Sequence, residues 1–308
     1  MRDAPGSRWP LAIAELERVI KVHALHNSPL PDEIDYALAW KPPPGALAQY
    51  PNLKAIFSMG AGVDHLMGDP SLPEAPIVRY VDPDLTNRMS EYVVQHVLMH
   101  HRRHLDYAEQ QRQRIWRELP QPAANNVRVG IMGYGVLGRD VAAKLKILDF
   151  NVTAWSRTPK NVVPGIICFN GREMLRDFLG WTDILVCLLP LTPATRGILN
   201  RRLFVRLAKK GALPGRILIN PGRGALQNEE DILSALDNGI LSAVSLDVFN
   251  EEPLPPSSPL WRHPRVILTP HNAAWSEPVA VARSVARAIK AHRRGEPLAC
   301  LVDRARGY

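Results

Sequence analysis

From Val127 the chain reads VRVGIM, a short apolar run with β-branched residues. A glycine cluster follows, then RDVAAKLKILDF, where Val141, Leu145 and Leu148 share one face at helical spacing. The pattern predicts strand, tight turn, helix. Apolar runs recur at NVTAWS, DILVCLL, RILIN, AVSLDV and RVILTP, with helical stretches such as NEEDILSALDNG between several of them. Strands apolar on both faces and separated by helices specify a parallel sheet covered on both sides. The expectation is a doubly wound α/β domain of the Rossmann kind over residues 95–276.

IDYALAW and NLKAIFSM read as two further buried strands, separated by the proline-rich KPPPGALAQYP. A helix from about Ser90 leads into the central domain. EPVAVARSVARAIKAHRRGEP is an amphipathic helix able to return to the first domain. The smaller α/β domain is therefore expected from both chain ends, residues 1–94 and 277–308, leaving two crossings and a cleft of the kind ligands use.

Composition narrows the function. The chain has 308 residues, 46% hydrophobic and 22% charged, which excludes a disordered or fibrous protein and suits two domains. No run approaches 18 apolar residues and MRDAPGSRWP lacks the apolar centre of a secretory signal, so the expectation is a soluble cytoplasmic protein with no membrane partner. Cys168, Cys187 and Cys300 lack paired spacing, against a disulfide framework or a metal site. Lys plus Arg is 38 against 30 for Asp plus Glu, a formal +8. The excess is scattered in pairs such as Arg102-Arg103 and Arg293-Arg294, with Arg201-Arg202 near Arg206. It suits a small anionic ligand better than nucleic acid, and no nucleic-acid partner is expected.

Gly133-Tyr134-Gly135-Val136-Leu137-Gly138 matches G-x-G-x-x-G after a strand and at the start of a helix. There the first glycine permits the turn, the second admits a pyrophosphate, the third lets helix pack on strand, and the helix N-terminus offers free N–H groups. The next strand ends in Trp155-Ser156-Arg157-Thr158, and no acidic residue occurs from Val152 through Gly171. A carboxylate there would repel a 2′-phosphate, whereas Arg157 can pair with it and Ser156 or Thr158 can donate to it. NADP(H) is the expected cofactor ahead of NAD(H).

Reducing a 2-keto acid needs a cation for the carboxylate, an acid for the oxygen and a group that keeps the acid charged. Arg223 follows RILIN, Glu252 follows the strand ending in Leu246-Asp-Val, and His271 follows RVILTP. Singly, each also reads as a turn arginine, a surface charge or a structural histidine. Together they sit at strand C-termini, where open α/β sheets bind ligands.

With ALAWKPP (38–44), GAGVDH (60–65), GIMGYGVLG (130–138), AWSR (154–157), LDVFNEEPLPPSSPLWRHPRVILTPH (246–271) and VDRARGY (302–308), the chain resembles the D-isomer-specific 2-hydroxyacid dehydrogenases, and within them the glyoxylate/hydroxypyruvate reductase A branch. The resemblance implies a flavodoxin-like smaller domain, a homodimer, and reduction of small 2-keto acids to D-2-hydroxy acids. It implies that Arg223 binds the carboxylate and polarises the keto oxygen, that His271 donates the proton, and that Glu252, directly before Pro253, hydrogen-bonds His271 and favours its charged form. It also places the substrate on the backbone of Gly60, Ala61 and Gly62 against a wall of Trp40. The cofactor is lined by Leu188, Pro190, Asn220, Pro221 and Asp247.

The chain departs from the family in three places. Met1 to Pro10 shows no apolar run where relatives begin with a strand, so an incomplete N-terminus is expected. Lys209–Gly215 makes a longer surface turn than usual. Pro221 and Gly222 replace a bulkier residue and Ala before Arg223. Formate dehydrogenases carry Gln where Glu252 stands, and phosphoglycerate dehydrogenases often add a domain for which the tail has no room. The alternative of another class is a corepressor that senses dinucleotide without turnover.

Overall fold

The structure, a computed structural model, describes residues 8–25 and 31–308. They form two compact units. One comprises the described residues up to Leu85 with Trp275–Tyr308, the other Thr86–Ala274. Of the opening segment Met1 to Pro10, positions 1–7 lie outside the described residues.

In the first unit, helix α1 (Trp9–Glu17) precedes strands β1 (Tyr36–Ala39) and β2 (Ala55–Ser58), the short helix α2 (Asp64–Met67) and strand β3 (Ile77–Val78). The strands form a parallel sheet in that order. β3 has no counterpart in the sequence reading, since two residues are too few to show a period. Ala39, Leu47, Ile56, Val63, Leu66 and Ile77 make this unit's core.

Helix α3 (Pro83–His101) carries the chain into the second unit, and α4 (His104–Gln113) follows. The single helix expected from about Ser90 is thus two. The first starts at Pro83, a residue whose φ suits a first helical turn. The break comes at Arg103, left-handed at φ 57°, whose Nε donates to Asp106 at 2.9 Å. The two compact units divide after Leu85, and α3 buries Met89, Tyr92, Val93 and Val97 in the second unit's core.

The rest of that unit alternates as the pattern requires: β4 (Arg128–Met132), α5 (Val136–Ile147), β5 (Asn151–Ser156), β6 (Ile167–Asn170), α6 (Leu175–Trp181), β7 (Ile184–Cys187), α7 (Arg201–Phe204), β8 (Arg216–Asn220), α8 (Glu229–Asp237), β9 (Leu241–Leu246) and β10 (Val266–Leu268). The seven strands are all parallel, ordered β6-β5-β4-β7-β8-β9-β10. Six match the predicted runs. The seventh, β6, is an edge strand with Ile167 65% exposed, so it lacks the continuous apolar signature of its neighbours. In α8 the Asn228 side chain accepts from Asp231 N at 3.0 Å, and three acidic residues fill the first turn, where the helix dipole favours them.

Helix α9 (Pro278–Arg293) returns to the first unit. Glu277 caps it at 2.7 Å from Ala280 N, and its apolar stripe buries Val281, Ala282 and Ile289. Arg283 donates to Glu15 of α1 at 3.1 Å. The long 209–215 turn is fastened: Arg128 pairs with Asp183 at 2.6 Å and donates to Lys210 O at 2.8 Å. Among the described residues no helix is long and apolar enough to cross a membrane. No cluster of three or more His, Cys, Asp or Glu among them could hold a metal ion.

Polar groups also lie inside the second unit. His96 Nδ1 and His100 Nε2 of α3 both meet Ser245 Oγ of β9, at 2.9 and 2.8 Å. Burial pushes His96 down to about 4 and His100 to about 3, the latter also through the neighbouring His96 and Arg265. Unfolding frees both to protonate near 6.5. Both states are neutral above that pH. Below it the unfolded chain binds the proton first, and each histidine adds a slope approaching ~1.4 kcal/mol per pH unit. Urea melts should therefore show stability level above pH 7 and falling steadily from about 6.5 toward 5; a flat profile over that window would contradict buried neutral histidines.

Candidate active site

Strand order reverses direction between β4 and β7, the topological switch point at which doubly wound sheets bind ligands. The glycine loop occupies it. Gly133, at φ 112°, sits where a Cβ would lie 2.6 Å from the Leu188 carbonyl group, so the turns after β4 and β7 abut. A Cβ on Gly138 would lie 2.1 Å from Gly133 O. A Cβ on Gly135 would meet nothing within 4 Å. That position borders open space at the start of α5, with backbone N–H groups free to meet a pyrophosphate. The chain thus fits a dinucleotide on its own geometry.

The other cofactor candidates divide by where their side chains go. Tyr134 is 1% exposed and its hydroxyl accepts from Val163 N at 3.1 Å, so only its backbone is available to a ligand. Leu137 packs against the same core, whereas Val136 is exposed. Arg157 is exposed at the end of β5 with Thr158 half-buried beside it. The Ser156 hydroxyl turns inward, donating to Thr158 O at 2.7 Å. Pro190 accepts from Thr195 Oγ1 at 2.7 Å, and Pro221 is buried.

The catalytic candidates follow β8, β9 and β10, adjacent parallel strands, so all three emerge at one sheet edge. His271 Nδ1 lies 2.8 Å from Glu252 Oε2. A carboxylate can only accept, so Nδ1 carries the hydrogen and Nε2 is the end left for a substrate. The other oxygen of Glu252 accepts from Phe249 N at 3.1 Å, which holds the carboxylate from both sides. Arg223 is half-buried, its Nη1 donating to Gly222 O at 2.9 Å. Gly224 is obligatory beside it, since a Cβ would lie 1.9 Å from Phe249 O.

The side chains of Asn220 and Asp247, both expected to line the cofactor, bond to these turns. Buried Asn220 accepts from Gly222 N at 3.1 Å and donates to Arg223 O at 3.2 Å and to Gln227 Oε1 at 2.8 Å. Gln227 in turn donates to Val248 O at 2.9 Å, joining the Arg223 turn to the one leading to Glu252. Asp247, 1% exposed, accepts from Thr269 Oγ1 at 2.6 Å, Asn272 N at 3.0 Å and Ala273 N at 2.9 Å. Buried polar atoms need such partners, and here the nearest donors are the site's own loops.

In the first unit, Trp40 lies across the glycine turn, its ring edge 2.7 Å from where a Gly60 Cβ would stand. It meets His65 with centroids 4.7 Å apart. Ser58 Oγ donates to Gly60 O at 3.0 Å and shapes the Gly60–Gly62 backbone. Sequence reasoning missed Tyr92, Gln227 and Thr269; the one available signal was Tyr92, His96 and His100 at i, i+4, i+8 on one helix face.

Residues 94–273 match the family profile described as D-isomer specific 2-hydroxyacid dehydrogenase, NAD binding domain. The chain belongs to that family. Among its dehydrogenase relatives, a glyoxylate/hydroxypyruvate reductase A of Serratia proteamaculans is 44% identical over 280 residues, covering 89% of this chain and 88% of that protein. The crystal structure of an NADPH-dependent glyoxylate/hydroxypyruvate reductase from Sinorhizobium meliloti, in complex with NADP and sulfate, superposes with a TM-score of 0.91 at 44% identity over 97% of this chain and 96% of that one. A probable 2-hydroxyacid dehydrogenase from Rhizobium etli, in complex with NADP, HEPES and L(+)-tartaric acid, gives 0.90 at 45% identity over 100% and 98%.

The clash at Gly138 tests the loop's role in this dehydrogenase. Gly138→Ala must displace the Gly133 backbone, and NADPH affinity by fluorescence titration should fall at least about tenfold, a loss near 1.4 kcal/mol. Unchanged affinity would remove the loop from the cofactor site.

Proposed function

We propose that this dehydrogenase reduces glyoxylate, hydroxypyruvate and similar small 2-keto acids to D-2-hydroxy acids with NADPH. The observation that carries the reading is the 2.8 Å contact of His271 Nδ1 with Glu252, at the sheet edge that also bears the glycine loop. A dinucleotide sensor without turnover has no need of that pair.

NADPH, when bound on the glycine loop, supplies a hydride to the keto carbon. The chain's residues do the rest. Arg223 binds the substrate carboxylate and polarises the keto oxygen, its turn held by Asn220. His271 donates a proton from Nε2 to that oxygen. Glu252 fixes the ring and its tautomer through the bond to Nδ1. Arg157 receives the 2′-phosphate of the cofactor with Thr158 beside it, and no carboxylate from Val152 through Gly171 opposes it. In the first unit, Ala61 and Gly62 offer backbone N–H groups to a carboxylate in a pocket walled by Trp40, while the Gly60 N–H is held by Ser58 Oγ at 3.3 Å. One methylene is worth only ~1–3 kcal/mol in such a pocket, so several small keto acids serve.

We place the dimer contact on the nucleotide-binding unit. There Trp116 is 100% exposed and Ile115 44%, just past α4, an apolar pair for a second copy to cover. We place the protein in the cytoplasm, in keeping with its three unbridged cysteines.

NADPH oxidation with glyoxylate and hydroxypyruvate tests the reading. His271→Gln should lower kcat by about 10² to 10⁴ with NADPH affinity nearly intact; near-wild-type kcat/KM would overturn its role. Arg157→Asp should reverse the preference for NADPH over NADH, and an unchanged ratio would remove Arg157 from cofactor selection.

A further inference from the structure

His271 has an unusual backbone. Its φ of 53° is left-handed, a conformation that costs a non-glycine residue free energy unless its surroundings impose it. What imposes it is visible. Asp247 O accepts from His271 N at 2.8 Å, while the Asp247 carboxylate accepts from Asn272 N and Ala273 N on the far side of the bend. One buried residue thus grips the chain on both sides of the imidazole. The remaining bond to that carboxylate comes from Thr269 Oγ1 at 2.6 Å.

Thr269 has a second partner, the Tyr92 hydroxyl of α3 at 2.9 Å. A threonine has one hydroxyl hydrogen. The carboxylate accepts only, so Thr269 donates that hydrogen to Asp247, and the phenol must donate to Thr269. Tyr92 is itself held by the His96 ring, 4.1 Å between centroids, and His96 by Ser245. The order of donors runs one way, from α3 through Thr269 to Asp247.

We propose that Thr269 and Tyr92 are positioning residues for the proton donor: their one-way hydrogen-bond chain orients the Asp247 carboxylate, which holds His271 in its left-handed bend and so aims Nε2 at the keto oxygen. This inference rests on the role given to His271 above. Both act through the Asp247 carboxylate, not on the imidazole itself. Their effect is on aim, and a misplacement on the order of 1 Å in such a group costs about a hundredfold in rate.

The chain also has a weak end. Tyr92 and Thr269 line a cavity of about 380 Å³ with Gln95, Met99, Ile267 and Asn272. Water there can donate to Thr269 in place of the phenol. Nothing equivalent replaces Thr269, whose partner Asp247 is buried.

The test compares Thr269→Val, Thr269→Ser and Tyr92→Phe with wild type. It reads kcat and KM for glyoxylate, NADPH affinity, the thermal midpoint, and the His271 imidazole ¹⁵N resonances, assigned by their loss in His271→Gln. Thr269→Val should lower kcat about 10- to 100-fold, with KM and NADPH affinity within about threefold and the His271 resonances displaced. Thr269→Ser restores the hydroxyl and should recover kcat to within about threefold of wild type, and Tyr92→Phe should fall between. Wild-type kcat and unmoved resonances in Thr269→Val overturn the proposal. So does a Thr269→Ser that fails to recover kcat, or a kcat that only follows the thermal midpoint, because the hydroxyl then has a structural role. The resonances need no turnover: if wild type reduces no keto acid yet they move in Thr269→Val, the positioning stands and the functional reading fails.

Discussion

Parallel strands place all their carboxyl ends on one edge of a sheet, and this molecule's chemistry depends on that constraint. Residues more than a hundred positions apart, Gly133 and His271 among them, emerge on the same side because β4, β7, β8, β9 and β10 all run in one direction. Reversal of the strand order between β4 and β7 separates the helices on the two faces and leaves room at the edge for a dinucleotide. An antiparallel pair anywhere in β8 to β10 would send one of Arg223, Glu252 or His271 to the opposite end.

Apolar packing builds the sheet, but buried polar groups shape the loops on its edge. Asn220 and Gln227 join the turns after β8 and β9, and Asp247 grips the bend after β10. Each such group demands partners, since an unsatisfied polar atom in the interior costs about 1–3 kcal/mol. That demand is directional, whereas hydrophobic burial is not. It suits these groups to holding a side chain within the tolerance that proton transfer requires.

The same logic accounts for the glycines. Gly133, Gly138 and Gly224 stand where a Cβ would collide with backbone, and Gly135 where it would fill open space beside α5. The first three allow the loops to pack, and the fourth keeps a surface free for a ligand. A motif of spaced glycines therefore mixes two requirements that only the coordinates separate.

Much of this was legible from the chain alone. Six of the seven strands announce themselves as apolar runs, because a sheet covered on both faces needs side chains that are apolar on both. The glycine loop, Arg157, and Arg223, Glu252 and His271 stand out by residue type in the loops that follow strands. Periodicity cannot reveal β6, at a half-exposed edge, or the break at Arg103, where one left-handed residue interrupts a helix whose composition continues unchanged. Nor does any pattern connect Tyr92 with Thr269, or tie Asn220 and Asp247 to the loops they brace. Hydrophobic period and motif are local properties that short stretches carry by themselves. A hydrogen bond between residues 177 positions apart exists only once the sheet and its helices have brought them together.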